Sequence, residues 1–217
     1  FLKMKVIKNI VIITALIFSN QTLADATKAV QGNVEKGREI ASGVCAGCHN
    51  TDGNSVIPTN PTLAGQHAEY LLKQLKDFKA GEETPAKRDN PIMSSMVAPL
   101  SVDDMNDLAV FYAQQKLQPA NTNVDESQLE LGKRVYNGGN LENSVPACSS
   151  CHSPNGAGIP PLFPKLAGQH ADYTLSQLET FRQGTRANDI NNTMQMIVLR
   201  LSAQEKKAVA EYISTLK

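Results

Sequence analysis

The stretch VCAGCHN at residues 44–50 sets Cys45 and Cys48 three positions apart, with His49 directly after the second cysteine. The same arrangement returns as ACSSCHS at residues 147–153, carrying Cys148, Cys151 and His152. On the C-terminal side, LAGQHAEYLLKQLKDFKAG (63–81) matches LAGQHADYTLSQLETFRQG (166–184) at an offset of 103, which also relates Cys45 to Cys148. Beyond that, NPIMSSMVAPLSVDDM (90–105) matches NNTMQMIVLRLSAQEK (191–206) at an offset of 101. Upstream, VEKGREIASGV (34–44) matches LELGKRVYNGG (129–139), after which the second copy carries eight extra residues before its cysteines. Two long copies indicate two homologous domains, because solenoids use shorter periods and more repeats.

Each copy predicts an all-α unit. A short helix precedes the cysteines, around 34–42 and 128–137. A second begins near Gln66 or Gln169, with Tyr70, Leu71, Leu75 and Phe78, or Tyr173, Leu175, Leu178 and Phe181, at helical spacing. Gly81 and Gly184 stand where a glycine ends a helix, and Ser101 and Ser202 stand where a hydroxyl starts one. Gly37 and Gly132 fall on the first helix, where glycine costs ~1 kcal/mol against alanine. A close crossing of the terminal helices, with Phe111 or Tyr212 packed at it, explains that cost.

The first residues, FLKMKVIKNIVIITALIFSNQTLADA, have lysines at 3, 5 and 8, no acid before Asp25, and an apolar run from Ile10 to Phe18. That order predicts a secretory signal over 1–24, cleaved after Ala24. A run of nine residues falls well short of the ~20 that cross a bilayer as a helix. The first domain is then 25–118 and the second 119–217, with the boundary in the polar stretch KLQPANTNVDESQ (116–128). Removing the signal leaves 193 residues with 18 basic against 21 acidic side chains, a net charge of −3. Mild acidity argues against nucleic acid as a partner, and export places the cysteines in an oxidising compartment.

Three chemistries use a Cys-x-x-Cys pair. Zinc needs four ligands, and each copy offers two cysteines and a histidine too close in sequence, with His67 or His170 as the fourth. A redox disulfide sits beside a βαβ pattern, and no strand pattern precedes either motif. Covalent haem attachment uses every residue: the two thiols add to the two vinyl groups, and His49 or His152 turns toward the iron. A buried macrocycle also supplies apolar volume to a chain with no tryptophan and 5% aromatic residues. For a sixth ligand, His67 pairs with His170 and Met93 with Met194, whereas Met96 aligns with Ile197 and Met196 with Ser95. His67 and His170 equally suit a capping or surface role. Core filling is the alternative for Met93 and Met194; against it, they lie in a loop-like stretch before the last helix, which suits a ligand approaching the far haem face.

Over essentially its whole mature length the chain resembles the di-haem cytochrome c4 family, two class I cytochrome c domains in tandem. The residues that carry the resemblance are CAGCHNTDGN, CSSCHSPNGAG, the doubled LAGQHA, and the methionine-bearing stretches that end in LS. It implies two covalently bound haem c groups on Cys45, Cys48, Cys148 and Cys151. It implies Met93 and Met194 as distal ligands opposite His49 and His152. The Pro61 and Pro164 carbonyls accept the histidine Nδ1–H in that family; the alternative is a loop proline that fixes φ. The implied function is a periplasmic electron carrier, not an enzyme, moving single electrons from a quinol-oxidising respiratory complex to a terminal oxidase. Peripheral association with the inner membrane is compatible with it. Two alternatives are a haem subunit bound to a dehydrogenase and a di-haem peroxidase, the latter needing an iron without its distal ligand.

Overall fold

The computed structural model describes residues 29–81, 84–118 and 124–217. The predicted signal 1–24 lies outside them, and the predicted boundary at 118/119 meets the undescribed residues 119–123. The described residues form ten α-helices and isolated β-bridges, without a sheet. None of these helices is long and apolar enough to cross a membrane.

In the first domain, α1 (Val34–Ile40) passes through a π-helical turn (Ala41–Cys45) straight into α2 (Ala46–His49). α3 (Ala68–Phe78), α4 (Pro91–Val97) and α5 (Val102–Ala113) follow. The second domain repeats the order as α6 (Glu126–Gly138), α7 (Ser149–His152), α8 (Ala171–Gln183), α9 (Thr193–Val198) and α10 (Ala203–Thr215). Its eight extra residues close a small hairpin between α6 and α7, bridged at Asn140 and Val145.

Local chemistry sets the helix ends. Ser101 and Ser202 cap α5 and α10 as expected, each in a reciprocal box with the carboxylate three residues on, Asp104 or Glu205. Gly184 ends α8 in the left-handed region, at φ 74°. Gly81 does not do the same for α3. That helix stops at Phe78, and Gly81 instead closes a turn in the longer connection, its N–H donating to Thr84 O at 3.0 Å.

The terminal helices cross where the glycines predict. An added Cβ at Gly37 would stand 2.2 Å from Asp107 O and 2.7 Å from Phe111 Cβ; at Gly132 it would stand 2.1 Å from Ala208 O and 2.7 Å from Tyr212 Cβ. Around these crossings the two cores trade one bulky residue. The first domain buries Ala41, at the start of the π-helical turn, and Tyr112 on α5; at the matching positions the second buries Tyr136 on α6 and Ile213 on α10. The ring moves from the last helix to the first, and isoleucine fills the place it leaves.

Candidate functional site

Each cysteine motif ends its short helix with the histidine turned inward. His49 is 7% exposed and His152 8%. Nδ1 of His49 lies 2.9 Å from Pro61 O, and Nδ1 of His152 lies 3.0 Å from Pro164 O. A carbonyl only accepts, so Nδ1 carries the proton and Nε2 keeps a free lone pair. Burial lowers the pKa of both imidazoles, against the opposing effect of the carbonyl bond, and so favours the neutral ring. A fixed tautomer with an unshared Nε2 is what a metal ligand requires.

Cys45 and Cys148 pack against the two cores, Cys151 is half-buried and Cys48 is exposed. No pair is bonded as a disulfide. Burial raises the Cys45 thiol and pushes the Cys148 thiol up to about 11, opposite to the lowered pKa of a redox-active pair. Among the described residues no three His, Cys, Asp or Glu side chains converge as a metal cluster, which leaves the zinc reading without its ligands.

The two remaining histidines are engaged elsewhere. Nε2 of His67 lies 2.8 Å from Ala157 O, and Nε2 of His170 lies 2.8 Å from Ser55 O, each across the domain boundary. Met93 and Met194 pack against the cores, whereas Met96 and Met196 are 42% and 50% exposed. The expected loop around them is a short helix instead. The Asn90 side chain accepts the Met93 N–H at 2.9 Å, and Asp189 accepts that of Met194 at 2.7 Å.

Sequence comparison missed a cluster at the domain interface. Arg88 and Arg186 are each 7% exposed and stacked on Phe78 and Phe181, with guanidinium carbons 4.5 and 4.4 Å from the ring centroids. Arg88 donates across the boundary to Tyr173 Oη at 3.1 Å, and Arg186 donates to Tyr70 Oη at 2.9 Å. Both also donate to Gln74 and Gln177, and among the described residues neither has a carboxylate partner. Burial raises the Tyr173 hydroxyl, but the two guanidiniums outweigh it and hold its pKa below the ordinary value. Two buried like charges without an anion are costly. The arginines are 98 residues apart, out of register with the 101 and 103 offsets, so the repeat did not pair them. Tyr70 and Tyr173 did repeat, as helix periodicity.

This donor set fits haem: paired thiols, a buried imidazole with Nε2 free, a thioether against the core, and guanidiniums able to meet carboxylates. Thr174 Oγ1 in the second domain is buried without a hydrogen-bond partner, and Tyr112 Oη in the first has only the Cys45 thiol beside it, as at cavity walls that face another group.

The family model for cytochrome c matches twice, over residues 34–116 and 129–217. Cytochrome c4 of Thiocapsa roseopersicina is 44% identical over 85% of this chain and 93% of its own. A thiosulfate dehydrogenase electron acceptor of Stutzerimonas stutzeri is 37% identical over 93% of this chain and 91% of its own. The crystal structure of reduced recombinant cytochrome c4 from Pseudomonas stutzeri superposes with a TM-score of 0.75 at 39% identity, covering 86% of this chain and all of that one. Each matched region holds one Cys-x-x-Cys-His motif, and the chain binds two covalent haem c groups on Cys45 with Cys48 and on Cys148 with Cys151. Two cytochrome c domains in tandem make it an electron carrier, and the chain belongs to the cytochrome c4 family.

Proposed function

We propose that His49 with Met93, and His152 with Met194, are the axial pairs of the two haem irons. In this reading the exported chain, freed of residues 1–24 and divided at 118/119, shuttles single electrons in the periplasm from a quinol-oxidising complex to a terminal oxidase. Bound haem supplies one-electron exchange between ferric and ferrous iron.

The observation that carries the ligand assignment is how the four histidines are spent. His49 and His152 bond through Nδ1 to the Pro61 and Pro164 carbonyls and keep Nε2 free; His67 and His170 spend Nε2 on carbonyls of the opposite domain. The protein's other contributions follow. The proline carbonyls fix each imidazole plane. Met93 and Met194, whose N–H groups donate to Asn90 and Asp189, would close the far face and exclude small ligands. Arg88 and Arg186, buried without a carboxylate partner among the described residues, would meet the haem carboxylates. Exposed Val44, Val56 and Ile57 beside Cys48, and Ile159 and Leu162 beside the second motif, give apolar contact suited to brief docking.

Optical spectroscopy of the oxidised holoprotein tests the pairs. Met93→Leu and Met194→Leu each remove about half of the weak far-red sulfur-to-iron band, while Met96→Leu and Met196→Leu leave it whole. Loss of the band in the Met96 or Met196 variant refutes the assignment. The relative that acts as a thiosulfate dehydrogenase electron acceptor favours a second reading of the partner, in which a dehydrogenase is the donor. Stoichiometric co-purification with a dehydrogenase subunit supports that reading, and reduction by a quinol-oxidising complex alone supports the first.

A further inference from the structure

Gln66 and Gln169, at equivalent places in the doubled LAGQHA, reach across the domain boundary in opposite directions. The Gln169 side chain accepts from Thr62 N at 3.0 Å through Oε1 and donates to Thr62 O at 3.0 Å through Nε2. Gln66 does the same in return, accepting from Lys165 N at 2.9 Å and donating to Lys165 O at 2.8 Å. Each Oε1 is also held by the next backbone N–H of its own chain segment, His67 or His170, at 3.1 Å. The amides are therefore fixed at both edges.

Thr62 and Lys165 are the residues that follow Pro61 and Pro164. One peptide group, Pro61–Thr62, thus accepts the His49 Nδ1–H on its oxygen and donates its N–H to Gln169. The Pro164–Lys165 peptide does the same between His152 and Gln66. A bond donated at a peptide nitrogen makes its carbonyl oxygen a stronger acceptor, because linked hydrogen bonds polarise one another. The imidazole on that oxygen gains electron density and becomes a stronger donor to a metal, as partners of a ligating histidine generally tune it.

We propose that Gln169 is a positioning residue for His49, and Gln66 for His152, so that each haem's histidine is set by the opposite domain. The inference rests on the reading of His49 and His152 as ligands. Docking of the domains is then part of the electronic environment of both irons. Each axial histidine is linked to the other domain through one peptide and one side-chain amide.

The test uses ¹⁵N-labelled ferrous holoprotein, with the Nδ1–H of His49 and His152 and the amides of Thr62 and Lys165 read by NMR, and both reduction potentials read by spectroelectrochemistry. Gln169→Leu is expected to shift the His49 Nδ1–H, to speed exchange of the Thr62 amide roughly tenfold, and to raise the potential of the His49 haem. The His152 signals and the second potential stay in place, although the substitution lies in the second domain. Gln169→Glu keeps an acceptor for Thr62 N–H and adds negative charge, so it lowers the potential of the His49 haem; this variant decides the matter if Gln169→Leu does not fold. Gln66→Leu gives the mirror result at His152. A Gln169→Leu protein whose two haems move alike, or in which only the His152 haem moves, overturns the proposal. The wild-type spectrum separates the two levels. If neither histidine shows the upfield ring signals of an iron-bound imidazole, the ligand reading fails. If both show them and Gln169→Leu leaves the His49 Nδ1–H unmoved, the positioning role alone fails.

Discussion

Gly132→Ala puts a methyl group where α6 crosses α10. Its Cβ would meet Ala208 O at 2.1 Å and Tyr212 Cβ at 2.7 Å, against ordinary contact from 3.4 Å upward. One obstacle is a main-chain oxygen and the other a Cβ fixed to the main chain, so no rotamer change relieves the clash. The helices must part by roughly 1 Å in an interior packed as densely as an organic crystal. Parting also withdraws Val209 and Ile213 of α10 from the second core. Overpacking of this kind costs ~1–3 kcal/mol, and a rigid obstacle places it at or above the upper end. Alanine returns ~1 kcal/mol of helix propensity, leaving a net loss of about 2 kcal/mol. Gly43→Ala is the matched control: it lies in the π-helical turn with no atom within 4 Å of an added Cβ. It is expected to gain ~0.5–1 kcal/mol from the less flexible unfolded chain. Guanidinium unfolding of the holoprotein, followed by circular dichroism and haem absorbance, reads both variants. A Gly132→Ala protein as stable as its parent refutes the close crossing, and so does one that gains stability with Gly43→Ala.

Two further outcomes follow from charge. Arg186→Gln destabilises the holoprotein by ~3–5 kcal/mol in thermal unfolding if its guanidinium meets a haem carboxylate, since the remaining buried charge loses its partner; a neutral or stabilising result means that only like-charge repulsion with Arg88 was relieved. Glu205 gives a pH dependence. Burial raises its carboxyl, but hydrogen bonds from Asn140 and Ser202 outweigh burial and hold its pKa below the ordinary carboxylate value. A depressed folded pKa contributes stability above the unfolded value that is lost as pH falls through the folded one. Glu205→Gln should therefore flatten the acid limb of the stability curve, and Ser202→Ala should cost ~1 kcal/mol at neutral pH; an unchanged acid limb in the Glu205 variant removes the carboxylate from the account.

What the sequence made legible depended on how local each cause is. The helix starts at Ser101 and Ser202 were readable because a cap and its carboxylate lie three residues apart. Gly37 and Gly132 were readable because glycine inside a helix needs a reason, and the crossing supplies it. His49 and His152 each reach a proline carbonyl twelve residues on, Pro61 or Pro164, a spacing short enough for the repeat to preserve. Gly81 misled because its copy, Gly184, does end a helix, while the longer connection after α3 gives Gly81 a different turn. The interface was hidden for a physical reason. A repeat marks every position that recurs, and the haem pockets and the reciprocal contact surface both demand recurrence. Gln66, His67 and Tyr70 therefore carried the same signal as Leu75 and Phe78. Arg88 and Arg186 carried none, because they sit in connections of unequal length.

The interface has the symmetry of a dimer of identical subunits: a residue of one half meets in the other the counterpart of the residue that meets its own counterpart. Here about a dozen residues between α5 and α6 join the halves. Tethering of that kind holds two surfaces at an effective concentration of order millimolar, so assembly no longer depends on how dilute the protein is. It also frees the halves to diverge, as they have done at Ala41 and Tyr136, at Tyr112 and Ile213, and at Leu71 and Thr174. A homodimer must change both of its centres with every substitution. This chain can change one, and so can set a direction between two centres that began alike.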